Sequence, residues 1–74
     1  MSDNKQVYWA SAVTKNCQAC GRSLHAAFYD ARLKDGVWGI VCDPCFQIRG
    51  VGLGVGKGQR YTRQADGRWL KTGG

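Results

Sequence analysis

The sequence contains no glutamate, and its acidic residues are five aspartates. Asp3 lies near the N-terminus, and Asp35, Asp43 and Asp66 stand in turn-like contexts. Asp30 is the one carboxylate in a strand-like run, and it has no acidic partner at strand spacing. Acid–base catalysis by a pair of carboxylates therefore has nothing to work with. Long apolar runs are missing too, and no stretch approaches the roughly 20 residues of a membrane-spanning helix. Met-Ser-Asp-Asn-Lys leads into no apolar run of the secretory-leader kind. The expected location is the cytoplasm, with no membrane partner. Phosphate-binding glycine signatures are also lacking. Gly56-Lys57 has no glycine five positions earlier and is followed by Gly58, so it is no P-loop, and Gly-x-Gly-x-x-Gly occurs nowhere.

What the chain does have is four cysteines in two matched pairs, Cys17-Gln-Ala-Cys20 and Cys42-Asp-Pro-Cys45. Two residues between thiols let both sulfurs of a tight turn reach one ion, about 2.3 Å away for zinc. The spacing predicts one structural Zn²⁺ per chain, bound by Cys17, Cys20, Cys42 and Cys45. A rubredoxin-type iron centre uses similar turns; the basic charge and the absence of glycine after Cys45 count against it. Disulfides would need an oxidising compartment that nothing in the sequence indicates. A redox pair would need only one such motif. Four thiolates close the coordination shell, so the metal would structure the domain without catalysing, and no enzyme activity or small-molecule substrate is expected. His25, the single histidine, is left as an ordinary surface residue.

At 74 residues this is a single domain, 1–74. A chain this short buries only about 60% of the surface its unfolded form exposes, so a metal staple matters. The formal charge of +6 is uneven. Residues 46–74 carry Arg49, Lys57, Arg60, Arg63, Arg68 and Lys71 against Asp66 alone, a local balance of +5 (six minus one). Four thiolates with one Zn²⁺ would add −2 to the whole. A basic end points to nucleic acid or an acidic protein surface.

The elements follow from local pattern. Residues 1–6 are polar and read as a frayed start. Val7 to Thr14 reads as a strand, or as one helical turn packing Trp9 and Val13. Gly21 follows the first knuckle, where a positive φ is often needed. Ala26 to Leu33 and Val37 to Val41 read as strands joined by a two-residue turn at Asp35-Gly36. That register sets Leu33 opposite Trp38, Ala31 opposite Ile40 and Tyr29 opposite Cys42, and predicts an apolar face of Tyr29, Leu33, Trp38 and Ile40. Asp43 and Pro44 suggest an Asx cap and a proline at the first position of a short helix ending at Gly50. Residues 50–58 alternate glycine with Val51, Leu53 and Val55. They read as an extended strand burying those three, or as a loop closing on a phosphate. Residues 59–71 form a second hairpin turning at Asp66-Gly67. It sets Gln64 opposite Trp69 and Thr62 opposite Lys71, with Arg60, Thr62, Gln64, Trp69 and Lys71 on one face. The fold class is thus a small metal-stabilised α+β or mostly-β domain. Its architecture is a zinc ribbon or treble clef with two β-hairpins and at most one short helix. Residues 17–45 hold the knuckles and first hairpin.

Cys17-x-x-Cys20-Gly21, Phe28-x-Asp30, Gly36-x-Trp38, Cys42-x-x-Cys45, the run from Gly50 to Gly58 with Gln59-x-Tyr61, and Asp66-Gly67-Arg68-Trp69 together resemble small zinc-ribbon proteins encoded by tailed phages and prophages. The resemblance implies a fold and a genomic setting, and no particular activity. Two functions remain open. One is a nucleic-acid-binding regulator that uses Lys57, Arg60, Arg63, Arg68, Trp69 and Lys71, with bases stacking on the indole and cations on phosphates. The other is a protein–protein module that modulates or inhibits a host enzyme such as RNA polymerase or a nuclease. Trp69 and Tyr61 have a plainer reading as core residues.

Overall fold

The computed structural model describes residues 6–11 and 13–74. The expectation of a frayed start falls on residues outside that range, apart from Gln6. Five elements follow in order: β1 (Ala27–Arg32), β2 (Trp38–Val41), α1 (Asp43–Arg49), β3 (Gly58–Arg63) and β4 (Trp69–Gly73). The strands form one antiparallel sheet in the order β2-β1-β3-β4. Two hairpins thus lie side by side, joined through the β1–β3 ladder. The segment expected as a strand over Val7 to Thr14, within which Ala12 lies outside the described residues, pairs only briefly. Tyr8 bridges Leu70, with Lys71 N–H donating to Val7 O at 2.7 Å and Trp9 N–H to Trp69 O at 2.9 Å. Those bonds cover the outer edge of β4.

Both hairpins depart from the expected register by one residue, for the same reason. A two-residue turn of the favoured type needs positive φ at both Asp and Gly. Among the described residues no non-glycine has positive φ, whereas Gly36 and Gly67 sit at +90° and +88°. Each connection is instead a three-residue loop, Lys34-Asp35-Gly36 or Ala65-Asp66-Gly67. Leu33 N–H donates to Val37 O at 2.8 Å, and Gln64 N–H to Arg68 O at 2.7 Å. Each aspartate accepts the N–H two residues on, from Val37 at 3.1 Å and from Arg68 at 3.0 Å. The aspartates are thereby satisfied without adopting a left-handed conformation.

The slip inverts the expected faces. Arg32 lies opposite Trp38, Asp30 opposite Ile40 and Tyr29 opposite Val41. Tyr29, Ala31, Leu33 and Val41 are buried together with Cys17, Cys42 and Phe46. Trp38 and Ile40 belong to the other face, so the predicted apolar set of Tyr29, Leu33, Trp38 and Ile40 is corrected. Trp38 is 45% exposed, its indole N–H held by Asp30 Oδ1 at 2.7 Å. In the second hairpin Arg63 lies opposite Trp69, Thr62 opposite Leu70 and Tyr61 opposite Lys71. Trp69 and Lys71 therefore share a face with Tyr61 and Arg63, and not with Arg60 and Thr62.

Both sides of the sheet carry packed side chains. On one side α1 lies over β1, with Phe46 stacked on Tyr29 at a centroid separation of 4.0 Å. On the other, Phe28 is fully buried among Trp9, Tyr61 and Trp69, with centroids 5.4, 5.2 and 5.0 Å away. The glycine run is not an extended strand. Gly52, Gly54 and Gly56 take φ of +127°, +129° and +77°, so the chain curls, and Val55 is left 95% exposed. The expected burial of Val51, Leu53 and Val55 is corrected accordingly, since all three are exposed. The anticipated close approach occurs at Gly58, where a Cβ would lie 2.8 Å from that of Ala31.

Candidate metal centre and basic face

The first cysteine pair sits in a small turn of its own. Lys15–Asn16 and Ser23–Leu24 run antiparallel, with Leu24 N–H donating to Lys15 O at 2.9 Å and Asn16 bridging Ser23. Gly21 follows Cys20 at φ +80°, as the knuckle reading expects. Gln18 anchors this turn to the outer edge of β2. Its N–H donates to Ile40 O at 2.9 Å, and its side-chain Oε1 accepts from Ile40 N–H at 2.8 Å. The second pair comes from the start of α1, which spans Asp43–Arg49 and ends at Gly50 as anticipated. The N-cap, however, is Cys42, with no side-chain capping bond, and Asp43 is the first helical residue. The Asx-cap expectation is corrected: the Asp43 carboxylate instead accepts from the Tyr29 hydroxyl at 2.7 Å and from Gln47 Nε2 at 3.2 Å.

These anchors bring the four Sγ atoms within 4.8 Å of one another. Tetrahedral bonds of about 2.3 Å would place sulfurs roughly 3.8 Å apart. Cys20 and Cys42 Sγ lie 3.7 Å apart. The cluster can hold one metal ion. On the first knuckle Ala19 N–H donates to Cys17 Sγ at 3.3 Å and Arg22 N–H to Cys20 Sγ at 3.5 Å. Burial opposes the thiolate at Cys17, but backbone N–H groups of Cys42, Cys20 and Ala19 outweigh it and bring the thiol down to about 6. Cys45 goes the other way, pushed up to about 12 by burial and by the neighbouring thiols. Burial also raises Cys42. His25 is exposed and stands outside the cluster.

No family model, curated protein or solved structure matches this chain. No helix among the described residues is long and apolar enough to cross a membrane. The proposed ligand-contacting residues of the basic half are scattered over more than one surface. Arg63, Trp69 and Lys71 share a sheet face, where Trp69 is half-buried against Phe28. Arg60 lies on the opposite face, with Nε donating to Thr72 Oγ1 at 3.0 Å and Nη2 to Thr72 O at 2.8 Å. Arg68, at the hairpin tip, pairs with Asp66 at 2.8 Å and lies 4.1 Å over the Tyr8 ring. Lys57 is exposed in the turn that closes between Gly54 and Gly58. Gln18 and Lys15 went unnoticed in the sequence. Gln18 is an unremarkable filler between two ligands, and only its pairing with β2 reveals the anchor.

The Tyr29–Asp43 bond ties β1 to the helix that carries two cysteines. Burial, then the bond to Asp43, raises the Tyr29 hydroxyl above its ordinary value of 10.0. The neutral phenol is the stabilised form. Its contribution is fully present below pH 10 and is lost as pH climbs through the raised value. Tyr29→Phe keeps the stack on Phe46 and should cost about 1.5 kcal/mol at neutral pH. Denaturant titrations of both proteins should converge above pH 10, and a constant difference would reject the assignment.

Proposed function

We propose that this protein is a zinc-stabilised, non-enzymatic binding module of the phage zinc-ribbon kind, acting in the cytoplasm on single-stranded nucleic acid. Its order of knuckle, hairpin and ligand-bearing helix is that of a treble clef. Zn²⁺ suits a closed set of four thiolates, which leaves no open position for substrate. The carrying observation is the charge balance of the second hairpin. Asp66 is the sole acid in residues 46–74, and it is engaged by Arg68. Arg63 and Lys71 stand beside Trp69 on one face, with no ion pair among the described residues. Cations flanking an indole suit a strand whose bases stack while its phosphates are neutralised.

The holo-protein should retard single-stranded DNA or RNA in electrophoresis, with affinity falling linearly in log salt by about 0.7 per phosphate contact. Absence of any shift at low salt, on single or double strands, would overturn the reading. A second reading, a module that binds a host enzyme such as RNA polymerase or a nuclease, is favoured by the exposed Ile48 (71%) and Val55. Capture of one defined host protein that survives both nuclease treatment and high salt would decide for it.

A further inference from the structure

An open cleft of about 490 Å³ lies between the first knuckle and the second hairpin. Its walls come from segments distant in sequence. The knuckle side supplies Lys15, Ser23 and Leu24, and the hairpin side Arg63 and Trp69, with Thr14 between them. Such a volume falls within the usual range for ligand sites. The chemistry of the lining is one-sided. Lys15 and Arg63 provide two cations, Thr14 and Ser23 two hydroxyls, Leu24 and Trp69 apolar surface. No carboxylate is among the described residues that line it. The indole has a rigid backing, since Trp69 rests edge-on against the fully buried Phe28, at 5.0 Å and 67°. Lys15 is held by its carbonyl's bond to Leu24 N–H at 2.9 Å, and Arg63 by its N–H to Ala26 O at 2.8 Å. Both cations therefore rise from backbone that is already fixed.

We infer that this cleft seats one nucleotide of a single strand, its base against Trp69 and Leu24 and its phosphate between Lys15 and Arg63. The inference rests on the nucleic-acid reading above and deepens it by naming the seat. It also adds Lys15, which belongs to the metal-bearing half of the chain. The metal then has a functional consequence. Ordering of the first knuckle sets one wall of the cleft, so nucleotide binding and metal loading are coupled.

The test uses zinc-loaded protein and a fluorescein-labelled oligothymidylate, with anisotropy read across a salt series. Lys15→Ala/Arg63→Ala should reduce the slope of log affinity against log salt by about 0.7, the share of the one phosphate held between them. Arg32→Ala/Lys34→Ala, at the far end of β1, should leave the slope unchanged. Both variants should keep one metal per chain. In NMR titrations the Trp69 indole resonance should move on binding, while that of Trp38 stays still. If the wild type binds but the cleft variant binds equally well, the cleft assignment fails while the function stands. Equal losses in both double variants mean diffuse charge attraction and also overturn the seat. If the wild type binds no oligonucleotide at low salt, both readings fall.

Discussion

Protein purified from a reducing host is expected to carry one Zn²⁺ per chain, and stripping it with excess chelator should unfold the domain. The magnitude follows from size. Among the described residues nine are buried apolar groups, and two of these are the clustered cysteines Cys17 and Cys42. A domain of 74 residues has total stability of roughly 4–11 kcal/mol. Structural zinc contributes about 10–16 kcal/mol of apparent binding energy in small peptides, enough to account for all of it. Cys42→Ser removes one of the four clustered thiols while leaving a good N-cap residue on α1, so the loss falls on the metal site, and no cooperative unfolding transition should remain. Metal uptake should also release protons. Zinc binds thiolates and not thiols, and an unfolded metal-free chain holds its cysteines mostly protonated at pH 7. Affinity should therefore rise with pH. Calorimetry in two buffers of different ionisation enthalpy should register the released protons. Iron in the purified protein, or a folded metal-free form, would refute the zinc assignment.

Phe28→Ala should have the next largest effect. Its ring is 0% exposed and touches three aromatic partners on the sheet face away from the cysteines. Removing it forfeits transfer energy and leaves a cavity lined by rings that cannot all collapse inward. The expected cost is about 3–5 kcal/mol. In a domain this small that lowers the melting temperature by more than about 10 °C. The cysteine knuckles lie across the sheet, so the variant should still bind one equivalent of metal at low temperature. A loss below about 1 kcal/mol would show that this aromatic cluster is not a second core.

Several features were legible in the residues because they depend on local chemistry. The doubled Cys-x-x-Cys spacing announces the four-sulfur cluster, since a tight turn brings the two thiols of each pair together and two matched pairs suit one ion. Gly21 needs a positive φ immediately after a knuckle, and has it. Pro44 near the start and Gly50 at the end bracket α1, because proline suits a first helical turn and a Cβ at Gly50 would lie 2.6 Å from the Phe46 ring. The Asp-Gly pairs mark both hairpins.

What they could not mark was the register. Loops of two and three residues both accept Asp-Gly, and the alternation of apolar residues in β1 and β2 was compatible with either. Long-range burial made the choice: Val41, and not Trp38, fits beneath the helix with Cys17 and Phe46. The pairing of β1 with β3 likewise has no local signal, because it joins residues about thirty positions apart through Gly58 and Ala31. The glycine run looked like a strand by its alternation, yet its positive φ values curl it away from the sheet. Composition determined that the chain is basic, free of paired carboxylates and built around four thiols. Only the tertiary structure decided which cations share a surface. It sent Arg60 to one face and Arg63 to the other, and brought Lys15 to the cleft that Trp69 also lines, because a strand alternates its side chains and a knuckle docks wherever β2 leaves an unpaired edge.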